Sequence, residues 1–458
     1  MNLETIWTAI RSVEKAENLA EWKIADVYLW QVIRERLFTN IAELTGLYQP
    51  VPEKPALQFS DQTSFIESPI AIMPFVRRDG NGRDPFTESF IKAAENPLVF
   101  GIGQEDEQSD RPQFEQLDAM VLRQFRNRAK LRVLFALSRA NDKKWARVIS
   151  SLETALDIKI DKYRKFPRWL LVDFIAKRSG WKKIFKLAKT ELLLIANAWQ
   201  LGLVAGAKAA GVHVVEIQHG LISAYHPRLS WPDLATSQSV PAAYLADEFW
   251  QWGDYWGFAS NLPASMRLKT IGAPENIAAA LARNTEKTQQ LLVIGQPQVS
   301  KNIVEFTRFV AAKYPKLPVV LKPHPQELLL TIEELINDLG DRPANLRVED
   351  PSANTLDLIA KSEYVIGAYS TAMFEAVALG CKVGALKLAG VEHLDGLIAS
   401  GAVSAIDRVA DIENFFVTAK ISKNSASYFA KPISAAQLLD SALDTVTGVR
   451  LPWPSRLS

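Results

Sequence analysis

Hydrophobic residues fall along this chain in short, unbroken runs, and in the last third those runs alternate with stretches of helical spacing. Gln290–Gly295, Val319–Lys322, Asn345–Val348, Tyr364–Gly367 and Cys381–Leu386 are apolar and rich in Val, Ile and Leu. Between them, Asn302–Ala312, Leu330–Leu339, Thr355–Ala360 and Met373–Leu379 repeat their apolar positions at helical intervals. Continuous apolar runs predict strands covered on both faces, and their alternation with helices predicts a parallel α/β sheet.

The first half follows a looser version of the same pattern. Met1–Tyr48 carries apolar residues at helical spacing and predicts two helices. Gln49–Ser68, with three prolines, reads as a connector. Pro69–Val76 and Leu98–Ile102 are strand candidates. Arg77–Pro85 and Gln104–Pro112 are polar loops. Phe114–Lys189 is mainly helical, with one apolar run, Leu131–Leu137, that fits a strand or a buried helix. Glu191–Ala196, Leu201–Gly211 and His213–Ile217 form a βαβ unit, followed by strand candidates at Ala242–Ala246, Phe249–Gly253 and Leu268–Gly272. Gln437–Val446 closes the pattern as a helix.

A chain of 458 residues exceeds what one core serves, so two domains are expected. An apolar content of 48% with 23% charged residues is that of a globular protein. Met1–Arg11 lacks a basic, apolar leader, and the single Cys381 fits a reducing compartment as a buried structural thiol, so the sequence reads as cytoplasmic. The most apolar window, Leu192–Ala207, is short for a membrane span. Net charge is only +2, but Leu122–Thr190 holds twenty Lys and Arg against five Asp and Glu, interleaved with aromatics such as Trp145, Trp169 and Trp181. That mixture suits an anionic membrane surface, which would make the protein peripheral on the inner face of the membrane. It equally fits helices with solvated basic faces, and no nucleic-acid module is visible.

The chemistry concentrates at the ends of predicted strands. Tyr364–Gly380 reads as strand, turn and helix, with Ser370 and Thr371 where the helix begins and where free N–H groups favour a phosphate. Upstream, Lys322-Pro323-His324-Pro325 ends a strand at two prolines, which hold His324 on a stiff turn. Such strand ends are the ligand edge of open α/β sheets. Glu375 lies one turn after Thr371 and can accept hydrogen bonds from a ribose. A polar cluster, Gln218-His219-Gly220, ends the His213–Ile217 run, and Tyr225-His226-Pro227-Arg228 follows. Regular strand geometry puts Glu216 on the face opposite His219 unless the chain turns between them. His213 reads as structural, and His226 and His393 as weaker candidates than His219 or His324. No HExxH, Asp-x-Asp, GxSxG or P-loop pattern occurs, and no metal site is expected.

KPHP followed by strand, Tyr-Ser-Thr and a Glu-bearing helix resembles the nucleotide-binding half of GT-B glycosyltransferases. The likeness is to bacterial surface and capsular polysaccharide enzymes, the sialyltransferases and Kdo transferases, and also to CDP-glycerol phosphotransferases. It covers about 216–388. The resemblance implies an α/β fold of two Rossmann-like domains facing across a cleft. A helical cap would span 1–50. A first domain at 51–275 would carry the basic insertion at about 114–189. A donor domain at 276–430 and a C-terminal helix at 431–458, crossing back to the first domain, would complete the chain. It implies a nucleotide-activated sugar as donor, perched on Gly295, Lys322, His324, Pro325, Ser370, Thr371 and Glu375. It implies a glycan or lipid-linked acceptor beside Gln218, Tyr225, His226 and Arg228, with His219 or Glu216 as base. The nucleotide sugar would be a substrate, with no cofactor. A polyol-phosphate transferase of the CDP-glycerol type, or a non-catalytic nucleotide or glycan binder, stays open.

Overall fold

The computed structural model describes residues 1–47, 67–75, 84–102, 111–196, 200–231, 242–283, 285–423 and 425–447. The connector Gln49–Ser68 and the loops Arg77–Pro85 and Gln104–Pro112 lie largely outside them.

The chain opens on helix α1 (Leu3–Ala16), capped by Asn2 Oδ1 accepting from Thr5 N at 2.9 Å. A tight antiparallel pair, β1 (Lys23–Ile24) and β2 (Val27–Tyr28), turns it into α2 (Leu29–Leu44). The first sheet is built from β3 (Ile70–Met73), β4 (Leu98–Val99), β5 (Leu192–Ile195), β6 (His213–Ile217), β7 (Glu248–Gln251) and β8 (Arg267–Thr270). Its spatial order is β4-β3-β5-β6-β7-β8, parallel throughout. Helix α3 (Glu88–Ala93) separates β3 from β4. The basic insertion between β4 and β5 is three helices, α4 (Phe114–Ala136), α5 (Arg139–Leu156) and α6 (Arg168–Leu187), and α7 (Leu201–Ala210) links β5 to β6.

The second sheet contains β9 (Thr288–Ile294), β10 (Val319–Lys322), β11 (Leu346–Val348), β12 (Ser362–Gly367), β13 (Lys382–Leu386) and β14 (Ser404–Ile406). Its order, β11-β10-β9-β12-β13-β14, is again fully parallel. The fold is therefore α/β with two Rossmann-like sheets. In the second, the strand order reverses between β9 and β12, where such sheets leave a crevice at the carboxyl ends of their strands. Most residues of β9, β10, β12 and β13 are buried, which is why these strands read as unbroken apolar runs.

Two expectations need correction. Leu131–Leu137 is not a strand but the helical end of α4, and it is mostly uncovered, with Leu131, Leu134 and Phe135 exposed at 56%, 64% and 84% and Val133 alone buried. Its run of apolar residues wraps round a helix whose buried face is Phe114, Leu117, Val121, Ala129 and Val133. Ala242–Ala246 is a turn, and the strand begins only at Glu248. Among the described residues, no helix is long and apolar enough to cross a membrane.

The chain closes by returning to the first sheet. Trp252 O accepts from Ala430 N at 3.1 Å, and Ile271 O from Ile433 N at 3.1 Å. A Cβ on Gly253 would lie 2.3 Å from Tyr428 O, so only glycine lets the returning strand of chain pass. The last helix, Ala435–Thr447, packs on α3 and β5, and Lys269 Nζ donates to Ser441 Oγ at 3.0 Å.

The helical cap is fastened by one buried guanidinium. Arg34, 1% exposed, donates to Glu14 Oε1 at 2.5 Å, Ser230 O at 2.7 Å and Pro227 O at 3.1 Å. It sits over the Trp7 and Trp231 rings, 4.5 and 4.0 Å from their centroids. Arg34→Ala should destabilise the protein by about 3–5 kcal/mol, because it strands the Glu14 carboxylate in the core. Adding Glu14→Gln should recover part of that loss. Urea unfolding of the single and double variants measures both, and a loss under about 1 kcal/mol would show that the cap is held by other contacts.

Candidate functional site

A cleft of about 520 Å³ opens where the carboxyl ends of β9, β10 and β12 face the loop after β6. From the second sheet it is lined by Gly295, Gln296, Lys322, His324, Pro325, Tyr369, Ser370, Thr371 and Glu375. From the other side come Leu221, His226 and Pro227, together with Thr39 and Glu43 of α2. The sequence-predicted donor residues Gly295, Lys322, His324, Pro325, Ser370, Thr371 and Glu375 are thus brought together.

Their individual geometry separates ligand groups from scaffolding. Ser370 is the N-cap of the helix Thr371–Ala378, its Oγ accepting from Ala372 N at 3.2 Å. A small, half-buried corner of backbone N–H groups results. Gly295 has no room for a side chain: a Cβ there would stand 2.7 Å from Glu327 Oε2 and 2.9 Å from His324 N. His324 N donates to Glu327 Oε2 at 2.6 Å, and His324 Nδ1 accepts from Gln326 N at 3.2 Å. When neutral, the ring therefore carries its proton on Nε2 and acts as a donor. Lys322 departs from the expected phosphate contact. It is 2% exposed, and its ammonium donates to Pro323 O at 2.8 Å and Pro351 O at 2.7 Å. It pins the KPHP turn, because a buried ammonium must find oxygen partners and two carbonyls are nearer than the cleft.

On the opposite side the structure rearranges the predicted roles. Glu216 is fully buried and pairs with Arg228, itself 4% exposed. Neither lines the cleft. Together they brace the turn that carries His226, so Glu216 as base and Arg228 as an acceptor contact are both corrected. Burial raises the Glu216 carboxyl, and the Arg228 charge opposes that. Gln218 is also a clamp: its Nε2 donates to Gly220 O at 3.0 Å, and its Oε1 accepts from Trp252 N at 2.8 Å. Tyr225 lies at the seam between the two halves, where its hydroxyl donates to Asp395 Oδ2 at 3.3 Å. Burial, reinforced by Asp395, pushes that hydroxyl up to about 12.

The imidazoles differ. His219 packs against Phe75 at 4.7 Å and Phe86 at 6.5 Å between ring centroids, with Nδ1 enclosed and lacking a partner. The next residue, Gly220, reaches the Ser370–Thr371 corner, where a Cβ would stand 3.9 Å from Thr371 Oγ1. Burial and the Arg228 charge bring His219 down to about 4. His226, read from sequence as weaker, lines the cleft. Its Nδ1 accepts from Arg228 N at 3.3 Å and Leu229 N at 3.2 Å, which leaves Nε2–H as a donor in the neutral ring. His393, buried in the seam, shares a 2.7 Å hydrogen bond with Ser223 Oγ and is brought down to about 4 by burial. His213 stands apart from the cleft lining, bonded to Glu248 Oε1 at 3.0 Å, as a structural residue would be. Cys381 is buried beside Lys287 Nζ at 3.2 Å.

No protein-family model matches this chain, and no curated protein matches it. Among solved structures, it is similar to the UDP-GlcNAc 2-epimerase of Neisseria meningitidis bound to UDP-GlcNAc, at 14% identity and TM-score 0.45, covering 82% of this chain and 99% of that one. It is similar to S. aureus MnaA with UDP, at 12% identity and TM-score 0.46, covering 85% and 99%. It is also similar to Acinetobacter baumannii MurG, at 13% identity and TM-score 0.40, covering 64% and 88%.

Several cleft residues escaped the sequence reading. Tyr369 and Gln296 adjoin Ser370 and Gly295 at the ends of β12 and β9, so their positions beside strand ends were a usable signal, which Thr355, the first residue of the helix Thr355–Lys361, lacks. Thr39 and Glu43 left none, since they belong to a helix remote in sequence. Among the described residues, no cluster of three or more His, Cys, Asp and Glu has metal-binding geometry.

These imidazoles predict an acid-sensitive fold. His219 and His393 titrate near 4 in the folded protein and His226 is lowered well below its ordinary 6.5, so the unfolded chain takes up protons first as pH falls. Stability should drop between pH 6.5 and 4, by on the order of 3 kcal/mol for each fully expressed shift. Glu35, raised to about 7 by burial, works in the opposite sense between pH 7 and 4.5 and offsets part of the loss. Melting temperature against pH should slope down towards acid, and His393→Gln should flatten the slope. A flat profile in the parent protein would contradict the neutral, buried state of these rings.

Proposed function

We propose that this protein is a glycosyltransferase that moves a sugar from a nucleotide-activated donor to a glycan acceptor. The observation that carries this reading is the cleft itself. The Ser370–Thr371 helix start and the His324 turn, from one sheet, face His226, Glu43 and the Gly220 turn, from the other side.

The donor's phosphates fit the Ser370–Thr371 corner. Among the described residues lining the cleft, the Lys and Arg side chains are represented by Lys322, whose ammonium holds carbonyls. Charge on the departing nucleotide is met by neutral donors set in place beforehand: backbone N–H groups, hydroxyls and the Nε2–H of His324. Glu375, one turn along the same helix, accepts from ribose hydroxyls. The resemblance of KPHP and Tyr-Ser-Thr to sialyltransferases and Kdo transferases supports a CMP-linked sugar as donor.

The acceptor hydroxyl needs a base. Glu43 is the carboxylate that enters the cleft from the acceptor side, among the described residues. His226, with Nε2–H directed by its two backbone donors to Nδ1, acts as a hydrogen-bond donor to the acceptor or the sugar. His219, neutral and next to Gly220, is the second group able to take the proton. The exposed Leu134 and Phe135 in the basic insertion support a place at an anionic membrane surface.

His324→Ala and Ser370→Ala should each weaken nucleotide binding by about 1.5–3 kcal/mol, read by calorimetry with CMP, CDP, UDP and GDP. Unchanged affinity in folded variants would remove the phosphate corner. A CDP-glycerol donor would show as CDP preference, and a nucleotide bound but never turned over would leave a binding protein.

Glu43→Gln and His219→Ala should leave nucleotide affinity nearly intact. The one that removes the base should slow transfer by on the order of 10²–10⁴-fold. Full turnover in both would exclude these two groups from proton transfer.

A further inference from the structure

The last turns of α4 leave one side of the helix uncovered. Leu131, Leu134 and Phe135, the exposed apolar residues of this end, fall at helical spacing on a single stripe. Ala129 and Val133, on the other side of the helix, are buried. Three large apolar side chains together on an exposed stripe mark an interaction surface.

The charge around the stripe says what covers it. From Ala119 to Asn141 the chain has no Asp or Glu and six cations: Arg123, Arg126, Arg128, Lys130, Arg132 and Arg139. Arg132 is paired with Asp26. Arg123, Arg126, Arg128 and Lys130 are exposed, and their side chains form no ion pair or hydrogen bond among the described residues. Arg128 stands one turn before Leu131, on the edge of the stripe. Arg123 and Lys130, two turns apart, run along its other flank.

Unpaired cations on both flanks of an apolar stripe narrow the choice of partner. A second copy of this face is repelled by like charge. A nucleic-acid duplex meets the cations with phosphates but offers the two leucines only a charged backbone. A bilayer with acidic headgroups answers both features at once. Its phosphates lie at the level of the guanidinium and ammonium groups, and its acyl chains receive the stripe between them.

We propose that this face of α4 docks the protein on an anionic phospholipid surface. Leu131, Leu134 and Phe135 enter the interface, and Arg123, Arg128 and Lys130 hold the surrounding headgroups. The docking goes beyond the transferase reading and stands whatever the cleft binds.

The test uses the full chain with vesicles of phosphatidylcholine, alone or with one third phosphatidylglycerol, and reads binding by flotation. The protein should float with the phosphatidylglycerol vesicles, stay behind with phosphatidylcholine alone, and be released by salt. Arg128→Gln with Lys130→Gln should weaken binding by about five-fold for each charge removed. Leu134→Ser with Phe135→Ser should weaken it by at least about ten-fold and leave its salt dependence in place. Lys316→Gln with Lys361→Gln, exposed cations of the second sheet's half, should change nothing. All these side chains are exposed, so melting temperatures should match the parent, and Leu131→Ser replaces any variant that fails to fold. The inference is overturned if the acidic vesicles do not bind, or if the Leu134 and Phe135 variant binds them as the parent does. It is overturned in favour of nucleic acid if a DNA duplex binds more tightly than the vesicles and does so without Leu134 and Phe135. It is overturned in favour of a contact between copies if light scattering finds a dimer that the same variant dissolves. CMP and UDP affinity, measured on the same proteins, keeps the two readings apart. Vesicle binding without nucleotide binding would sink the transferase reading and keep this face, and nucleotide binding without vesicle binding would do the reverse.

Discussion

The geometry of the cleft depends on Arg34. This one side chain joins α1 to α2 through Glu14, and both to the loop after β6 through the carbonyls of Pro227 and Ser230. Trp30 Nε1 donates to the same Glu14 oxygen at 2.7 Å, so that oxygen accepts from two donors. A guanidinium out of water must satisfy several donors at once, and the carbonyls of a single turn can accept them only if that turn is fixed. His226 is within that turn, and Thr39 and Glu43 lie further along α2. The side of the cleft built from α2 and the loop after β6 is therefore set by an ion pair whose members are remote from it.

A second layer of polar contacts joins the halves. Ser223 meets His393, Tyr225 meets Asp395, and Leu3 N donates to Glu392 Oε1 at 3.1 Å. Trp256 packs on Phe374 at 4.4 Å, which ties the first sheet to the helix that begins at Thr371. The Ser370–Thr371 corner and the opposite side of the cleft are held by the same seam. Neutral imidazoles suit that place, since an imidazolium there would be buried without a carboxylate to balance it.

The division between ligand groups and scaffolding follows one rule. Polar residues at strand ends turn to scaffolding wherever a nearer partner engages their polar atoms: Arg228 for Glu216, two carbonyls for Lys322, Trp252 and Gly220 for Gln218. The polar groups that line the cleft, such as Ser370, His324 and His226, are each held by hydrogen bonds from the local backbone.

The strands and their sense were legible in the local pattern of residues. β9, β10, β12 and β13 must be covered on both faces, so they could only be written as unbroken apolar runs, and helices between them force parallel pairing. It also placed Gly295, His324, Ser370 and Thr371 at strand ends, because proline, glycine and capping residues act on the backbone locally. Whether Leu131–Leu137 was covered, which atom Lys322 and Glu216 would find, and that α2 would contribute Glu43 were decided only by the tertiary structure. Those outcomes turn on which residues, far apart along the chain, arrive as neighbours, and a polar group's partner is chosen by distance in space.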